Sequence, residues 1–156
     1  MSTIARERRW ILDGPMGTEL GLRGVPLPAP LWSAWANLHA PEVVAAIHAD
    51  YAAAGARVQT ANTFRTKRRS MGAGWEAAAR RAVALAREAG GLVAGSVAPL
   101  EDCYSPWLSP ENPAPEHAEL AAALADAGCD LLLAETFPHT GEALAAVEAC
   151  VATGVA

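Results

Sequence analysis

Four alanine-rich segments of this chain have the residue spacing of helices, and each ends in glycine and runs into a short apolar segment. In the first of them, Val43, Val44, Ile47 and Tyr51 recur at the three-to-four-residue interval of one helix face. Glycine suits the left-handed position just past a helix end. The four segments are PEVVAAIHADYAAAG, WEAAARRAVALAREAGG, PEHAELAAALADAG and TGEALAAVEACVATG.

The apolar segments between these helices are predicted to be buried parallel strands. CDLLLAE and LVAGSVA are apolar without alternation, which is typical of strands covered on both faces. We predict a first strand at WILDG, residues 10–14, and the beginning of a further strand at residues 155–156. Right-handed βαβ units in series build either an open doubly wound sheet or a closed (β/α)8 barrel. The sequence therefore predicts an α/β fold with about four βα units.

Composition and charge exclude several kinds of partner. The net charge of -5 argues against nucleic acid or an anionic membrane surface as the main partner. No apolar stretch approaches the ~18 residues of a membrane helix, and the charged N-terminus lacks a secretory signal. Three distant cysteines without a C-x-x-C pattern suit reduced thiols. We therefore predict a cytoplasmic protein.

Polar side chains stand where the predicted strands end. Asp13 ends the first strand and Glu135 the fourth, and the hydroxyls of Thr60, Thr63 and Ser96 lie at the ends of the strands between them. Because the carboxyl ends of parallel strands share one edge, we expect these groups to converge there. Carboxylates suit an ammonium group, whereas amides and hydroxyls suit a carboxylate. The pattern predicts a site for a small zwitterion; the alternative is that Asp13 caps a turn and Glu135 caps the following helix.

Glycines and one long loop lie beside these groups. Gly14, Gly17 and Gly95 are predicted to let backbone N–H groups approach a ligand. Four prolines keep residues 102–115 from forming a continuous helix, and a loop of that length is usually functional or disordered. The basic run FRTKRRS is interpreted as a solvated loop and helix start.

Five segments of the chain resemble the homocysteine S-methyltransferase family, and they occur in family order and spacing. They are ILDGPMGTEL, LWSAWANLHAPEVVAAIHADYAAAGARVQTANTF, GSVAPLEDCYSP, EHAELAAALADAGCDLLLAETF and EALAAVEA. The resemblance implies a (β/α)8 barrel, of the TIM-barrel type, that passes a methyl group to homocysteine and makes methionine. It also implies a zinc ion held by three cysteine thiolates, which lowers the pKa of the substrate thiol. The methyl donor implied is an onium compound or a methylated folate.

The resemblance also assigns substrate-binding residues. Asp13 and Glu135 are implied to hold the amino group of homocysteine, and Gly14 with a Thr-x-Thr-Phe element its carboxylate. Aligned on NTF, the first threonine of that element falls on Ala61, so Thr63 carries the assignment. No catalytic residue is assigned. The zinc cysteines of the family lie in its second half, so the resemblance implies no metal ligand among Cys103, Cys129 and Cys150.

We therefore predict that residues 1–156 form the N-terminal half of a homocysteine S-methyltransferase-like barrel, which holds the amino-acid recognition half of the site. One alternative is a non-catalytic half-barrel that serves as a binding or assembly module. Another is an unrelated barrel enzyme that uses Asp13 and Glu135 as acid and base. A half-barrel is expected to leave free edges and an inner face with Ile11, Val58 and Val93, so we predict a homo-oligomer or a complementing C-terminal half.

Overall fold

Short parallel strands alternate with helices along residues 10–156, the part of the chain that the computed structural model describes. The strands are β1 (Val58–Ala61), β2 (Leu92–Val97) and β3 (Leu131–Ala134), and they form one sheet in the order β1-β2-β3. Both pairings are parallel, with Ala61 opposite Gly95 and Val97 opposite Ala134. All three strands therefore point their carboxyl ends toward one edge.

The four predicted helices are confirmed, and each of them separates or follows strands as expected. They are α3 (Pro41–Ala53), α5 (Trp75–Glu88), α6 (Ala114–Asp126) and α7 (Thr140–Ala152). Shorter helices are α1 (Met16–Leu22), α2 (Ala36–His39) and α4 (Arg68–Met71), with 3₁₀ turns at Trp32–Trp35, Gly72–Gly74 and Pro106–Leu108. None of these described helices is long and apolar enough to span a membrane.

The predicted first strand is present only as a single bridge. Leu12 pairs in parallel with Val58, Arg57 N donates to Ile11 O over 2.8 Å, and Asp13 N donates to Val58 O over 3.1 Å. The pairing goes no further along the chain, because Thr60 N donates to the side chain of Asp13 instead of its carbonyl, and Pro15 has no N–H to donate. At the opposite edge Leu132 N donates to Ala156 O over 2.8 Å. The described chain thus has three strands in one parallel sheet, with a paired segment along each edge.

The main core lies between the sheet and helices α5, α6 and α7. Val93 and Val97 pack there with Trp75, Leu120 and Leu124. Side chains alternate along a strand, so Val93 shares the helix-facing side of β2 with Val97. The prediction that Val58 and Val93 lie exposed on an inner face is wrong, since they are 3% and 0% exposed.

Two groups of exposed apolar side chains lie on one face of α7 and on the segment beside β1. Leu144, Val147 and Val151 follow one another at helical spacing and are 60%, 46% and 72% exposed. We call these three residues the α7 stripe. Ile11 and Leu12 beside β1 are 59% and 49% exposed, which confirms the prediction for Ile11.

Candidate functional site

A cavity of about 590 Å³ opens at the carboxyl ends of the three strands. The predicted convergence of strand-end groups is found there, since Asp13, Thr60, Ser96 and Glu135 all line the cavity. The rest of its wall comes from the segment that begins at Leu12, the 3₁₀ turn of Trp32, the ends of β1 and β3, and the residues that follow the three strands. These residues are Leu12, Gly14, Pro15, Met16, Gly17, Thr18, Trp32, Ser33, Ala61, Asn62, Phe64, Arg65, Asp102, Cys103, Tyr104, Leu133 and Thr136.

The carboxylate of Asp13 is held by Thr60 from across the sheet. Thr60 N donates to Asp13 Oδ2 and Thr60 Oγ1 donates to Asp13 Oδ1, both over 2.7 Å. His48 Nδ1 lies 3.7 Å from Oδ2, and the Asp13 side chain is only 3% exposed. Each carboxylate oxygen can accept a second hydrogen bond, so the two oxygens keep acceptor capacity for a ligand. The Asp13 carboxylate therefore accepts hydrogen bonds from the neighbouring strand β1. These are not the hydrogen bonds of a turn cap.

The carboxylate of Glu135 is held in the same manner by a hydroxyl of the neighbouring strand. Ser96 Oγ donates to Glu135 Oε1 over 2.6 Å, and Thr136 Oγ1 donates to Oε2 over 3.2 Å. Glu135 N also donates to Val97 O over 3.0 Å, which continues the β2–β3 pairing by one residue. The helix that follows is capped by His139, whose Nδ1 accepts from Glu142 N. The alternative that Glu135 caps this helix is therefore wrong.

Thr63 lies behind the cavity wall. Its side chain is fully buried, and Oγ1 donates to Ser96 O over 2.9 Å. Because a hydroxyl has one hydrogen, this bond uses the donor that the sequence assigned to a ligand carboxylate. Of the four predicted substrate-binding residues, Asp13, Gly14 and Glu135 line the cavity, and Thr63 supports the strand that carries Ser96.

The three glycines predicted to admit a ligand differ in their surroundings. A Cβ at Gly14 would lie 2.6 Å from the ring of Tyr51, so a side chain at this position would displace that ring. Gly95 faces the core, where a Cβ would lie 2.9 Å from Cys129 Sγ. The prediction that Gly95 opens the backbone to a ligand is therefore wrong, whereas Gly14 and Gly17 lie on the cavity wall.

The loop after β2 reaches the cavity through Asp102, Cys103 and Tyr104, and buried charges hold it in place. Where the loop begins, Lys67 Nζ donates to the carbonyl of Pro99, and Leu100 N donates to Glu142 Oε1 over 2.7 Å. Further along, Ser109 Oγ donates to Glu142 Oε2 over 2.7 Å. One buried carboxylate thus fixes two points of the loop.

Burial and hydrogen bonding shift the pKa values of this cluster in different directions. Burial lowers the pKa of Lys67 to about 7, and it also lowers the pKa of His117. Burial alone would raise the pKa of Glu142, but the hydrogen bonds from Leu100, Ser109 and His117 outweigh it and lower that pKa. The carboxylate that fixes the loop is therefore the ionised form.

Lys67 is expected to make stability depend on pH. Its pKa of about 7 in the folded chain lies below the ordinary lysine value of 10.5, so between those values the unfolded chain binds a proton that the folded chain does not. The free energy of unfolding should therefore rise with pH over this window. Urea unfolding at pH values of about 7, 8 and 9 should show the rise, and Lys67→Met should flatten it. Arg80→Met, at an exposed position of α5, should retain it; equal slopes in both variants would contradict the assignment.

The chain matches one protein family over almost all of its described length. The family model described as homocysteine S-methyltransferase matches residues 10–155. The chain belongs to the homocysteine S-methyltransferase family. The interpretation as an unrelated barrel enzyme is therefore wrong.

Relatives and solved structures agree with this assignment. The chain is 34% identical to the homocysteine S-methyltransferase of Escherichia coli K12 and 31% identical to homocysteine S-methyltransferase YbgG of Bacillus subtilis. Each alignment covers 88% of this chain and 53% of the relative, so the chain spans about half the length of these curated relatives. The crystal structure of the homocysteine methyltransferase MmuM from Escherichia coli, in its metallated form, superimposes with a TM-score of 0.84 at 30% identity. That superposition covers 98% of this chain and 62% of MmuM.

The cysteines that the structure describes do not fit the zinc implied for a homocysteine S-methyltransferase. Among residues 10–156, no group of three or more histidine, cysteine or acidic side chains is placed to hold a metal ion. Cys103 lines the cavity, whereas Cys129 and Cys150 are buried in the core. Burial raises the pKa of the Cys129 thiol to about 12 and also raises that of Cys150, and the thiolate is the form that binds a metal.

Sequence reasoning missed several residues of this homocysteine S-methyltransferase-family site. Arg65 belongs to the basic run FRTKRRS, for which the sequence predicts a solvated loop, yet it lines the cavity. Trp32 packs edge-on against Phe64, with ring centroids 6.2 Å apart, and also lines the cavity. The one available signal was position, because Phe64 and Arg65 come soon after the end of β1.

Proposed function

We propose that this chain holds the amino-acid recognition half of a homocysteine S-methyltransferase site, in which a methyl group passes to the homocysteine thiol and gives methionine. The observation that carries the proposal is the placement of Asp13 and Glu135 on the wall of one cavity at the strand ends. Two carboxylates there suit the ammonium group of an amino acid.

The hydroxyls of Thr60 and Ser96 prepare these carboxylates for a ligand. Each hydroxyl donates its hydrogen to one carboxylate, which fixes the oxygens and leaves lone pairs for the N–H donors of an ammonium group. Because the acids are held before the ligand arrives, little side-chain freedom is lost on binding. The proposed role of Gly14 is to bring its backbone to the ligand, and that of Thr63 is to hold Ser96 through its carbonyl.

The proposed methyl transfer also needs a zinc site, which the described residues do not supply. Zinc chemistry would come from a complementing C-terminal half of the (β/α)8 barrel. Pairing with a second copy of this chain would not supply the zinc cysteines. We propose a cytoplasmic location and a place in methionine biosynthesis. A binding or assembly module without catalysis is a second candidate, favoured by the burial of Cys129 and Cys150 away from the cavity.

Glu135→Gln tests the proposed function. The amide oxygen can still accept from Ser96, so the fold should hold, but the charge that meets the ammonium is lost. A charged hydrogen bond contributes about 1.5–3 kcal/mol, so methionine binding should weaken by roughly 10- to 150-fold in calorimetry. The desamino analogue, 4-(methylthio)butanoate, should bind both forms alike.

The matched control is Glu148→Gln, which removes the same charge from an exposed position of α7 outside the cavity. It should leave methionine binding unchanged. Undiminished binding of methionine by Glu135→Gln, or equal losses for methionine and its desamino analogue, would contradict the assignment of Glu135 to the ammonium group.

A further inference from the structure

Arg65 is the only cationic side chain among the described residues that line the cavity. The same wall carries three carboxylates, from Asp13, Asp102 and Glu135. Asp13 and Glu135 are engaged by hydroxyls of neighbouring strands, and Asp102 Oδ2 accepts from Ser105 Oγ over 2.7 Å. The cavity therefore offers several negative groups and a single positive one.

The guanidinium of Arg65 keeps donors that the described chain does not use. Its Nη1 makes one long contact, 3.4 Å, to the carbonyl of Glu101, and its Nε is shielded from solvent without a hydrogen-bond partner among the described residues. The neighbouring arginines differ, because Arg68 pairs with Glu119 and Arg69 pairs with acids of the loop and of α6. No carboxylate described in the structure forms an ion pair with Arg65.

Aromatic packing keeps this guanidinium at the wall. Arg65 Cζ lies 5.5 Å from the centroid of the Phe64 ring, and that ring in turn packs against Trp32. Contact with an aromatic face stabilises a cation and limits its rotamers. The side chain is half-buried, so an ion pair formed there would be screened less than one on the open surface.

We propose that Arg65 binds the carboxylate of an amino-acid ligand in this cavity. The inference rests on the proposed function, in which Asp13 and Glu135 bind the ammonium end of the same molecule. The hydroxyl of Thr63 is already donated to Ser96 O, so a carboxylate needs another donor, and a guanidinium can offer two parallel N–H groups. The site is then charge-complementary to a zwitterion at both ends, with Arg65 as the specificity-determining residue for the carboxylate.

The test compares methionine with methioninol, in which an alcohol replaces the carboxylate. Calorimetry on the full chain should show that the unsubstituted protein prefers methionine. Arg65→Gln should weaken methionine binding by about tenfold or more and leave methioninol binding unchanged, which removes the preference. Arg65→Lys should keep part of the preference for methionine, because a lysine retains the charge without the planar pair of donors. Arg68→Gln, exposed and outside the cavity wall, should behave like the unsubstituted protein.

The outcomes separate this inference from the function on which it rests. If Arg65→Gln still prefers methionine to methioninol as strongly as the unsubstituted chain, Arg65 is not the carboxylate group and the proposed function stands. If Arg65→Gln weakens both ligands equally, its role is structural and the inference is also overturned. If the unsubstituted chain binds neither ligand, both the proposed function and this inference fail.

Discussion

Asp13→Asn is expected to abolish measurable binding of methionine at a modest cost in stability. The asparagine oxygen can accept from Thr60 N, and its amide group can donate to Thr60 Oγ1, so the bonds across the sheet can be remade. The charge that would meet an ammonium group is lost, and the amide hydrogens add donors where an acceptor is needed. We expect a loss of about 1 kcal/mol in the free energy of unfolding.

Asp13→Ala separates the two roles of this carboxylate. It also abolishes binding, but it leaves the N–H of Thr60 without its partner beneath the cavity wall. An unsatisfied buried donor costs about 1–3 kcal/mol, so the alanine variant should be clearly less stable than the asparagine variant. Calorimetry with methionine and urea unfolding measure the two effects. Methionine binding by Asp13→Asn that equals that of the unsubstituted chain would remove Asp13 from the site.

The second large effect concerns association. The α7 stripe and the segment of Ile11 and Leu12 expose apolar surface on two parts of the molecule, and surfaces of this kind are interaction sites or aggregation liabilities. We expect the chain to form dimers or larger species at micromolar concentration in light scattering. Replacing Val147 and Val151 by glutamate should shift the population toward monomer, because charges are costly to bury in an apolar interface.

Leu22→Glu provides the control for the association experiment. Leu22 is 77% exposed and belongs neither to the α7 stripe nor to the segment beside β1, so the same added charge should leave association unchanged. Addition of the C-terminal half of a homocysteine S-methyltransferase tests complementation directly, since a complex should form at the expense of self-association. A monomer with sharp thermal unfolding and no binding of an apolar dye would contradict both expectations.

Patterns of neighbouring residues predicted the helices and the positions of the strand-end acids, because both depend on interactions that are short in sequence. The helices follow from apolar spacing and their glycine ends, and α3 begins at Pro41 as its first-turn proline predicts. The positions of Asp13 and Glu135 follow from the rule that parallel strands share a carboxyl edge. The predicted first strand is longer than the observed pairing, because an apolar run does not reveal that the Asp13 side chain takes the N–H of Thr60.

Contacts between distant parts of the chain could not be predicted. Glu142 accepts from Leu100, which lies 42 residues away, and nothing around either residue in the sequence indicates the other. Lys67 and Arg65 belong to one basic run, yet Lys67 is buried beneath the loop, whereas Arg65 faces the cavity. A run of charge predicts solvation on average, and the tertiary structure decides for each side chain whether that holds.

The two acids proposed to hold the ammonium group come from distant parts of the described chain, with Asp13 before β1 and Glu135 after β3. A ligand held by both would therefore act as a reversible cross-link that closes most of the polypeptide into a loop. In the unfolded chain the two acids are far apart and their affinity for the ligand is lost, so binding energy is added to the folded state alone. The amino acid would tie the segment beside β1 to the far side of the sheet, whereas the segment's own hydrogen bonds reach only β1 and the residue before it.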